Sequence, residues 1–132
     1  MDFDTGSPIW AQLVAEFTRR IVTGEWPAGA RIPAVRDIAT EVGVNPNTAQ
    51  RALAELERLE LCRSERTAGR FVTDDPERID ALRTELARDA ALAYIRTARG
   101  LGMTLPRARD LIEKGWRDHD HHDRTDDGGD DA

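Results

Sequence analysis

The sequence predicts a mainly α-helical fold with a small β-wing, which here means one short β-hairpin, and three features predict it. Apolar residues recur every three or four positions in most segments, as in amphipathic helices. Charged residues make up 33% of the 132 residues and aromatic residues only 5%, which favours helices with solvated faces and a small aliphatic core. Proline and glycine stand where these helices are expected to begin and end.

The first predicted helix begins at Ser7-Pro8, a hydroxyl N-cap followed by a proline at the first helical position. Gly24 is expected to end it. Residues 25–29 have turn composition, and residues 31–33 are predicted to be extended because Ile32 precedes a proline. The apolar stripe of this helix consists of Ile9, Leu13, Phe17 and Ile21.

Two shorter helices are predicted next, separated by a tight turn. The first spans about residues 35–42 and ends at Gly43, and the second begins at Asn45-Pro46 and runs to about Glu60. Two strands then follow, at residues 61–65 and 70–73, joined by a hairpin-like turn. The inward face of the second short helix consists of Ala49, Ala52, Leu53 and Leu56.

The rest of the chain is predicted to contain two more helices. The first opens at residues 74–77 and closes at Gly100, and the second is capped by Thr104 and stops near Gly115. Residues 117–132 show no apolar periodicity and are predicted to be disordered. The expected organisation is therefore a flexible N-terminus (1–7), a helical unit with its hairpin (8–73), a two-helix region (74–116) and an acidic, His-containing tail (117–132).

A short helix, a glycine turn and a second helix with a polar N-terminus are the sequence signature of a helix-turn-helix. In that motif the first turn of the second helix enters the DNA major groove, where amide, hydroxyl and guanidinium groups recognise base edges. The polar residues in this position are Asn45, Asn47, Thr48, Gln50 and Arg51. Taken alone, such a face is also typical of an ordinary solvated helix.

The surrounding residues resemble the DNA-binding domain of the GntR family of regulators over residues 8–72. The matching positions are Pro8-Ile9-Trp10, Gln12, Ile21, Gly24, Pro27, Gly29, Ile32-Pro33, Arg36, Ile38-Ala39, Gly43-Val44, Thr48, Leu53, Leu56, Gly69 and Phe71-Val72. The run from Val44 to Glu57 resembles the YtrA-like subfamily in particular, whose members carry only a short helical C-terminal part. The resemblance implies a winged helix-turn-helix at residues 8–73 that binds double-stranded DNA.

The resemblance also implies which other residues contact DNA. Arg36 matches a family position that contacts DNA from the helix before the one that reads the bases, and Gly69 matches a position of the family's wing. Arg63, Arg66 and Arg70 surround the wing, and these arginines are expected to hold phosphates. The sequence departs from relatives in two places. Pro46 stands where many relatives have a DNA-contacting arginine, and the wing has lost one glycine of the family's Gly-x-Gly-Thr-Phe-Val pattern.

The two C-terminal helices carry single apolar stripes that cannot be fully buried without a partner. A symmetric homodimer is the expected arrangement, since it presents two reading helices to a palindromic operator. A repressor that blocks polymerase is the expected function, with a small-molecule effector left open. The residues predicted to form the dimer interface are Ile79, Leu82, Leu86, Tyr94, Leu111 and Ile112.

Charge and composition leave other hypotheses open. The net charge is −6, but residues 8–72 carry nine arginines against eight acidic residues, so the negative charge lies outside the predicted reading segment. No cofactor or catalytic function is expected, Cys62 is interpreted as a packed side chain, and the protein is expected in the cytoplasm. The alternatives are a regulator that responds to a ligand at the dimer interface or to metal through its His-containing tail, and a protein-interaction module that does not bind DNA.

Overall fold

A computed structural model describes the backbone of residues 1–126 and the side chains of residues 1–120. The chain divides into two compact units, the first spanning Met1–Leu86 and the second beginning at Ala87. None of the described helices is both long enough and apolar enough to span a membrane. In chain order the elements are α1 (Ile9–Val22), α2 (Val35–Val42), α3 (Pro46–Arg58), β1 (Cys62–Glu65), β2 (Gly69–Val72), α4 (Pro76–Gly100) and α5 (Leu105–Asp126).

The ends of α2 and α3 follow from their capping residues. Gly43 ends α2 in the left-handed conformation, with φ of 75°, which costs glycine little. The Oδ1 atom of Asn45 accepts a hydrogen bond from the backbone N–H of Asn47 at 2.8 Å, and Pro46 occupies the first helical position. Both predicted caps are therefore confirmed. The Ser7 cap of α1 is wrong, because Pro8 is the N-cap residue and no side chain caps this helix.

The wing is an antiparallel hairpin in which β1 pairs with β2. The segment before α2 lies along the other edge of β2: the N–H of Ile32 donates to the carbonyl of Arg70 and the N–H of Val72 to the carbonyl of Ala30, both at 2.9 Å. The segment before Pro33, which the sequence predicts to be extended, thus forms these hydrogen bonds with β2. The wing is in this way joined to the segment that leads into the helix-turn-helix.

The core of the first unit lies around α3, which packs against α1, α2 and β1. Cys62 belongs to this core, and burial, together with the nearby negative charge of Glu57, raises its pKa to about 11. Its thiol is therefore protonated at neutral pH, as expected of a packed residue. The buried core residues are Leu13, Phe17, Ile21, Trp26, Ile32, Ile38, Val42, Ala52, Leu53, Leu56, Leu61, Cys62, Val72 and Leu82.

Arg20 is a buried charge that ties α1 to α2. Its guanidinium pairs with Glu16 at 3.2 Å and with Glu41 at 2.9 Å, and it lies over the rings of Phe17 and Trp26. Hydrogen bonds from Arg19 and Arg20 outweigh burial and lower the pKa of Glu16 to about 2. Arg20 and Glu16 therefore both stay charged at neutral pH, as a buried ion pair requires.

Two predicted features of the first unit differ in the structure. The N-terminal segment is held rather than free, because the Gln12 side chain bonds both the N–H and the carbonyl of Asp4 and Phe3 packs against the core. Leu82, predicted at a dimer interface, is 6% exposed within the core of the first unit, and Ile79 packs beside it. The first turns of α4 use their apolar stripe to complete this core, so Leu82 is not available as a dimer surface and Ile79 is partly covered.

In the second unit, the remainder of α4 is joined to α5 by small residues and one hydrogen bond. The Tyr94 hydroxyl donates to the carbonyl of Ala108 at 2.7 Å. Ala98 and Ala108 are buried, at 4% and 9% exposure. The large apolar side chains of this unit are mostly exposed: Leu92, Ile95, Leu101, Leu105, Leu111, Ile112 and Trp116.

The predicted tail is corrected as far as Asp126, because α5 continues through Gly115 to that residue. A glycine inside a helix costs only about 1 kcal/mol relative to alanine. Glu113 lies four residues before Arg117, a spacing that favours a helix across this glycine. Residues 127–132 of the predicted tail lie outside the described residues.

We predict that Leu82→Ala lowers the free energy of unfolding by roughly 2–5 kcal/mol, because it removes buried apolar volume. Urea denaturation followed by circular dichroism measures the change. The matched control is Ala81→Ser, at an exposed position on the same helix. A Leu82→Ala variant with unchanged unfolding but weakened self-association would restore this residue to a dimer interface.

Candidate nucleic-acid interface

The face of α3 that the sequence predicts to contact DNA is accessible. Ala49, Ala52, Leu53 and Leu56 are all 0% exposed, and the helical repeat therefore turns the positions between them outward. The side chains of Asn47, Gln50 and Arg51 are exposed. This part of the predicted site forms one polar surface on the N-terminal half of α3.

Two other predicted residues are partly committed to the helix itself. The side-chain oxygen of Asn45 is used in capping α3, which leaves its NH₂ group as the donor that faces out. Thr48 is half-buried. Both residues border the surface and have less freedom to adapt to a base than Asn47 or Gln50.

Arg51 rests on an aromatic ring from another helix. Its guanidinium carbon lies 4.3 Å from the centroid of the Trp10 ring, at the start of α1. Such stacking is worth about 0.5–1 kcal/mol at exposed sites and restricts the arginine fork to one plane. Trp10 therefore acts as a platform that holds Arg51 in position on the polar surface.

Arg70 is not a free wing arginine. Its Nε donates to Glu57 Oε1 on α3 at 2.9 Å, and its Nη1 donates to Gln50 Oε1 at 3.4 Å. Only 17% of its side chain is exposed. The structure therefore does not support the expectation that Arg70 holds a phosphate, since its charge is already balanced by Glu57.

The wing tip is shaped by Gly69. This residue has φ of 104°, and a Cβ atom built on it would lie 3.0 Å from Nε of Arg31, so a side chain here would be strained and crowded. Arg31 and the exposed Arg66 border the same groove of about 510 Å³ between the wing and the segment before α2. Gly69 thus allows Arg31 to approach the wing backbone, a role that the sequence did not reveal.

The arginines of the first unit divide into two groups by their partners. Seven of them form ion pairs with Asp or Glu within the described residues: Arg19, Arg20, Arg58, Arg63, Arg70, Arg78 and Arg83. Within the same part of the chain, no ion pair involves Arg31, Arg36, Arg51 or Arg66. Three of these four are predicted DNA contacts, and Arg31 is the additional one.

The structure brings some predicted residues together and leaves others apart. Gln50 and Arg70 are in contact, whereas Arg36, exposed on α2, has no side-chain hydrogen bond to another predicted residue within residues 1–120. Sequence reasoning missed Trp10, Arg31 and Glu57 as parts of the site. Only Glu57 carried a signal, because its spacing of seven from Gln50 places both on one face of α3.

No group of three or more His, Cys, Asp or Glu side chains suited to a metal ion occurs among the described residues. The metal-binding alternative concerns the tail from Asp118 to Asp123, and the side chains from residue 121 onward lie outside the described part of the chain. It therefore stays a hypothesis.

Residues 10–72 match the family described as bacterial regulatory proteins, gntR family. Over 102 residues, covering 77% of this chain and 84% of the relative, the sequence is 33% identical to the HTH-type transcriptional regulator YhcF of Bacillus subtilis. It is 29% identical to the HTH-type transcriptional repressor YtrA of the same organism over 75 residues, 57% of this chain and 58% of YtrA. A GntR family transcriptional regulator from Listeria monocytogenes matches with a TM-score of 0.75 at 36% identity, covering 85% of this chain and 98% of that one.

We predict that Trp10→Leu weakens sequence-specific DNA binding by about 0.5–1 kcal/mol, because Arg51 loses its aromatic platform. Fluorescence anisotropy with the preferred DNA sequence measures the change, and Trp10→Phe, which keeps an aromatic face, is the control. In an Arg51→Ala background the effect of Trp10→Leu should disappear. An equal loss in both backgrounds would show that Trp10 does not act through Arg51.

Proposed function

The chain belongs to the GntR family of bacterial regulatory proteins, and we propose that it represses transcription by binding a palindromic operator as a homodimer. It is a transcriptional regulator with a DNA-binding helix-turn-helix, similar to YtrA-like members of the family, and its relatives are regulators rather than enzymes. The operator, the dimer and repression are the parts that we propose here.

The observation that carries the DNA contacts is that four arginines of the first unit form no ion pair within the described residues: Arg31, Arg36, Arg51 and Arg66. DNA phosphates are strong partners for such groups. Because α3 presents Asn47, Gln50 and Arg51 together, we place this helix in the major groove, where amide and guanidinium groups distinguish base pairs. Arg31, Arg36 and Arg66 then contact the backbone and fix the register.

The second unit supports the homodimer. Leu111 and Ile112 of α5 are 55% and 50% exposed, and Ile95 of α4 is 48% exposed. Ile95 and Ile112 border one apolar groove of about 640 Å³ with Tyr94. An exposed apolar surface of this kind on a small protein typically marks an association site, and a second copy of the same helices would cover it symmetrically.

Two copies of α3 held by one dimer would contact two half-sites related by a two-fold axis, which is why a palindromic operator is proposed. Where such an operator overlaps a promoter, the bound dimer excludes polymerase. The relative YtrA is described as a repressor, and repression by occupancy requires no catalytic group. The proposed place of action is the cytoplasm, where the bacterial chromosome lies.

We predict that Gln50→Ala and Arg51→Ala each weaken binding to the preferred sequence by roughly 1–3 kcal/mol, because each removes a base-edge contact. Arg66→Ala should instead weaken binding to all sequences alike and reduce the salt dependence, since it removes a phosphate contact. Selection from a random DNA library, followed by electrophoretic shift at several salt concentrations, measures both effects.

Arg58→Ala is the matched control for these variants. It lies in the last turn of α3 and is paired with Glu55, so it should leave the preferred sequence unchanged. If both Gln50→Ala and Arg51→Ala retain the wild-type sequence preference, the proposed base contacts of α3 are wrong. If no DNA is shifted at any salt concentration, the alternative of an interaction module that does not bind DNA is the better account.

We predict that Ile112→Asp converts the protein from dimer to monomer at micromolar concentrations, because it places a charge in an apolar interface. Sedimentation equilibrium gives the mass, and Asp110→Ala, two residues earlier and exposed, should remain dimeric. A wild-type chain that is monomeric under these conditions would contradict the proposed interface, and so would an Ile112→Asp variant that stays dimeric.

A further inference from the structure

Arg70, Glu57 and Gln50 form a connection between the wing and the reading helix, here called the wing clamp. Gln50 and Glu57 are seven residues apart, so they lie on one face of α3 two turns from each other. The guanidinium of Arg70 reaches both, with Nε on Glu57 Oε1 at 2.9 Å and Nη1 on Gln50 Oε1 at 3.4 Å. One wing side chain therefore spans two turns of the helix.

The wing clamp is held firmly on its Glu57 side. Ser64 of β1 donates its hydroxyl to the same carboxylate, and these bonds, that of Ser64 foremost and that of Arg70 with it, lower the pKa of Glu57 against the opposing effect of burial. Glu57 is therefore negatively charged at neutral pH. Arg70 would have to leave a partly buried ion pair in order to contact a phosphate, which favours its staying in place when DNA is near.

The wing clamp determines how the amide of Gln50 is oriented. An arginine has only hydrogen-bond donors, so the atom of Gln50 that faces it is the carbonyl oxygen. The NH₂ group then points away from Arg70 as the outward end of this exposed side chain. The guanidinium occupies one of the two lone pairs of Oε1, and its positive charge disfavours the approach of a second donor to the other.

This orientation distinguishes the two purines. A glutamine recognises adenine by accepting from N6–H with its oxygen while donating to N7. With one lone pair of Oε1 bonded to Arg70 and the guanidinium beside the other, Gln50 accepts from N6–H less well, while its NH₂ group stays available to donate. Guanine offers two acceptors in the major groove, O6 and N7, and no donor that needs the amide oxygen. A Gln50 with a free NH₂ group and a weakened acceptor therefore suits guanine better than adenine.

We propose that the wing clamp makes Gln50 a guanine-preferring donor, so that Arg70 and Glu57 determine base specificity without contacting a base. This inference rests on the proposed DNA-binding function. Arg70 and Glu57 are then positioning residues, and their effect is confined to the base pair that Gln50 contacts. It is distinct from phosphate contact, which affects all sequences equally.

The experiment begins with selection of preferred DNA from a random library by the full-length protein. The base pair contacted by Gln50 is the one whose preference is lost in Gln50→Ala. At that position the wild-type protein should bind guanine at least about fivefold more tightly than adenine. Arg70→Met, which keeps the length of the side chain without its donors, should reduce this ratio to about twofold or less, and Glu57→Gln should reduce it in the same direction.

Arg63→Met is the matched control, since Arg63 lies in the paired strand of the wing and forms its ion pair with Glu65. It should leave the guanine-to-adenine ratio unchanged. If Arg70 were only structural, Arg70→Met would lower affinity for every sequence and keep the ratio. That result, or a wild-type preference for adenine, overturns the inference. A library from which no sequence is enriched overturns the proposed DNA reading itself, which is a different and separately visible outcome.

Discussion

The burial of one face of α3 is the constraint on which the rest of the site depends. Ala49, Ala52, Leu53 and Leu56 are completely enclosed, and α3 packs against α1, α2 and β1. A helix fixed on its inner side has no freedom to rotate about its axis, so the outward positions are fixed as well. The small side chains of Ala49 and Ala52 allow close approach at the N-terminal half, where the polar surface lies. Core packing and DNA-reading geometry are thus two consequences of one helical repeat.

Charge pairing within the first unit resolves the conflict between a net charge of −6 and a DNA-binding function. About half of the acidic residues of this unit are paired with arginines that stabilise its own structure, such as Glu16 and Glu41 with Arg20. The arginines without such partners lie on α2, on α3, in the segment before α2 and in the wing. What matters to DNA is the local surface, because salt screens charges that lie more than about 10 Å away.

The sequence predicted the features that depend on neighbouring residues. The caps at Gly43 and Asn45, the hairpin and the exposed face of α3 all follow from local conformational preferences, and the family resemblance placed them in a winged helix-turn-helix. Contacts between distant parts of the chain were not predicted. Trp10 and Arg51 are 41 positions apart, and nothing in either segment indicates that they stack. Leu82 is a second example. An apolar stripe has the same helical spacing whether it packs against the core of its own chain or against a partner, so periodicity alone could not place this residue.

The wing clamp places specificity where this chain departs from its relatives. Arg70 occupies the position at which the family pattern has threonine, and Gln50 lies on the helix that the family uses for reading. A threonine hydroxyl is too short to reach both Gln50 and Glu57 across two turns of α3, whereas an arginine fork reaches both. A single change in the wing can therefore alter the base preference of a helix whose own sequence stays the same. In this chain the fold is shared with the family, while the choice of base depends on a contact that the family pattern does not contain.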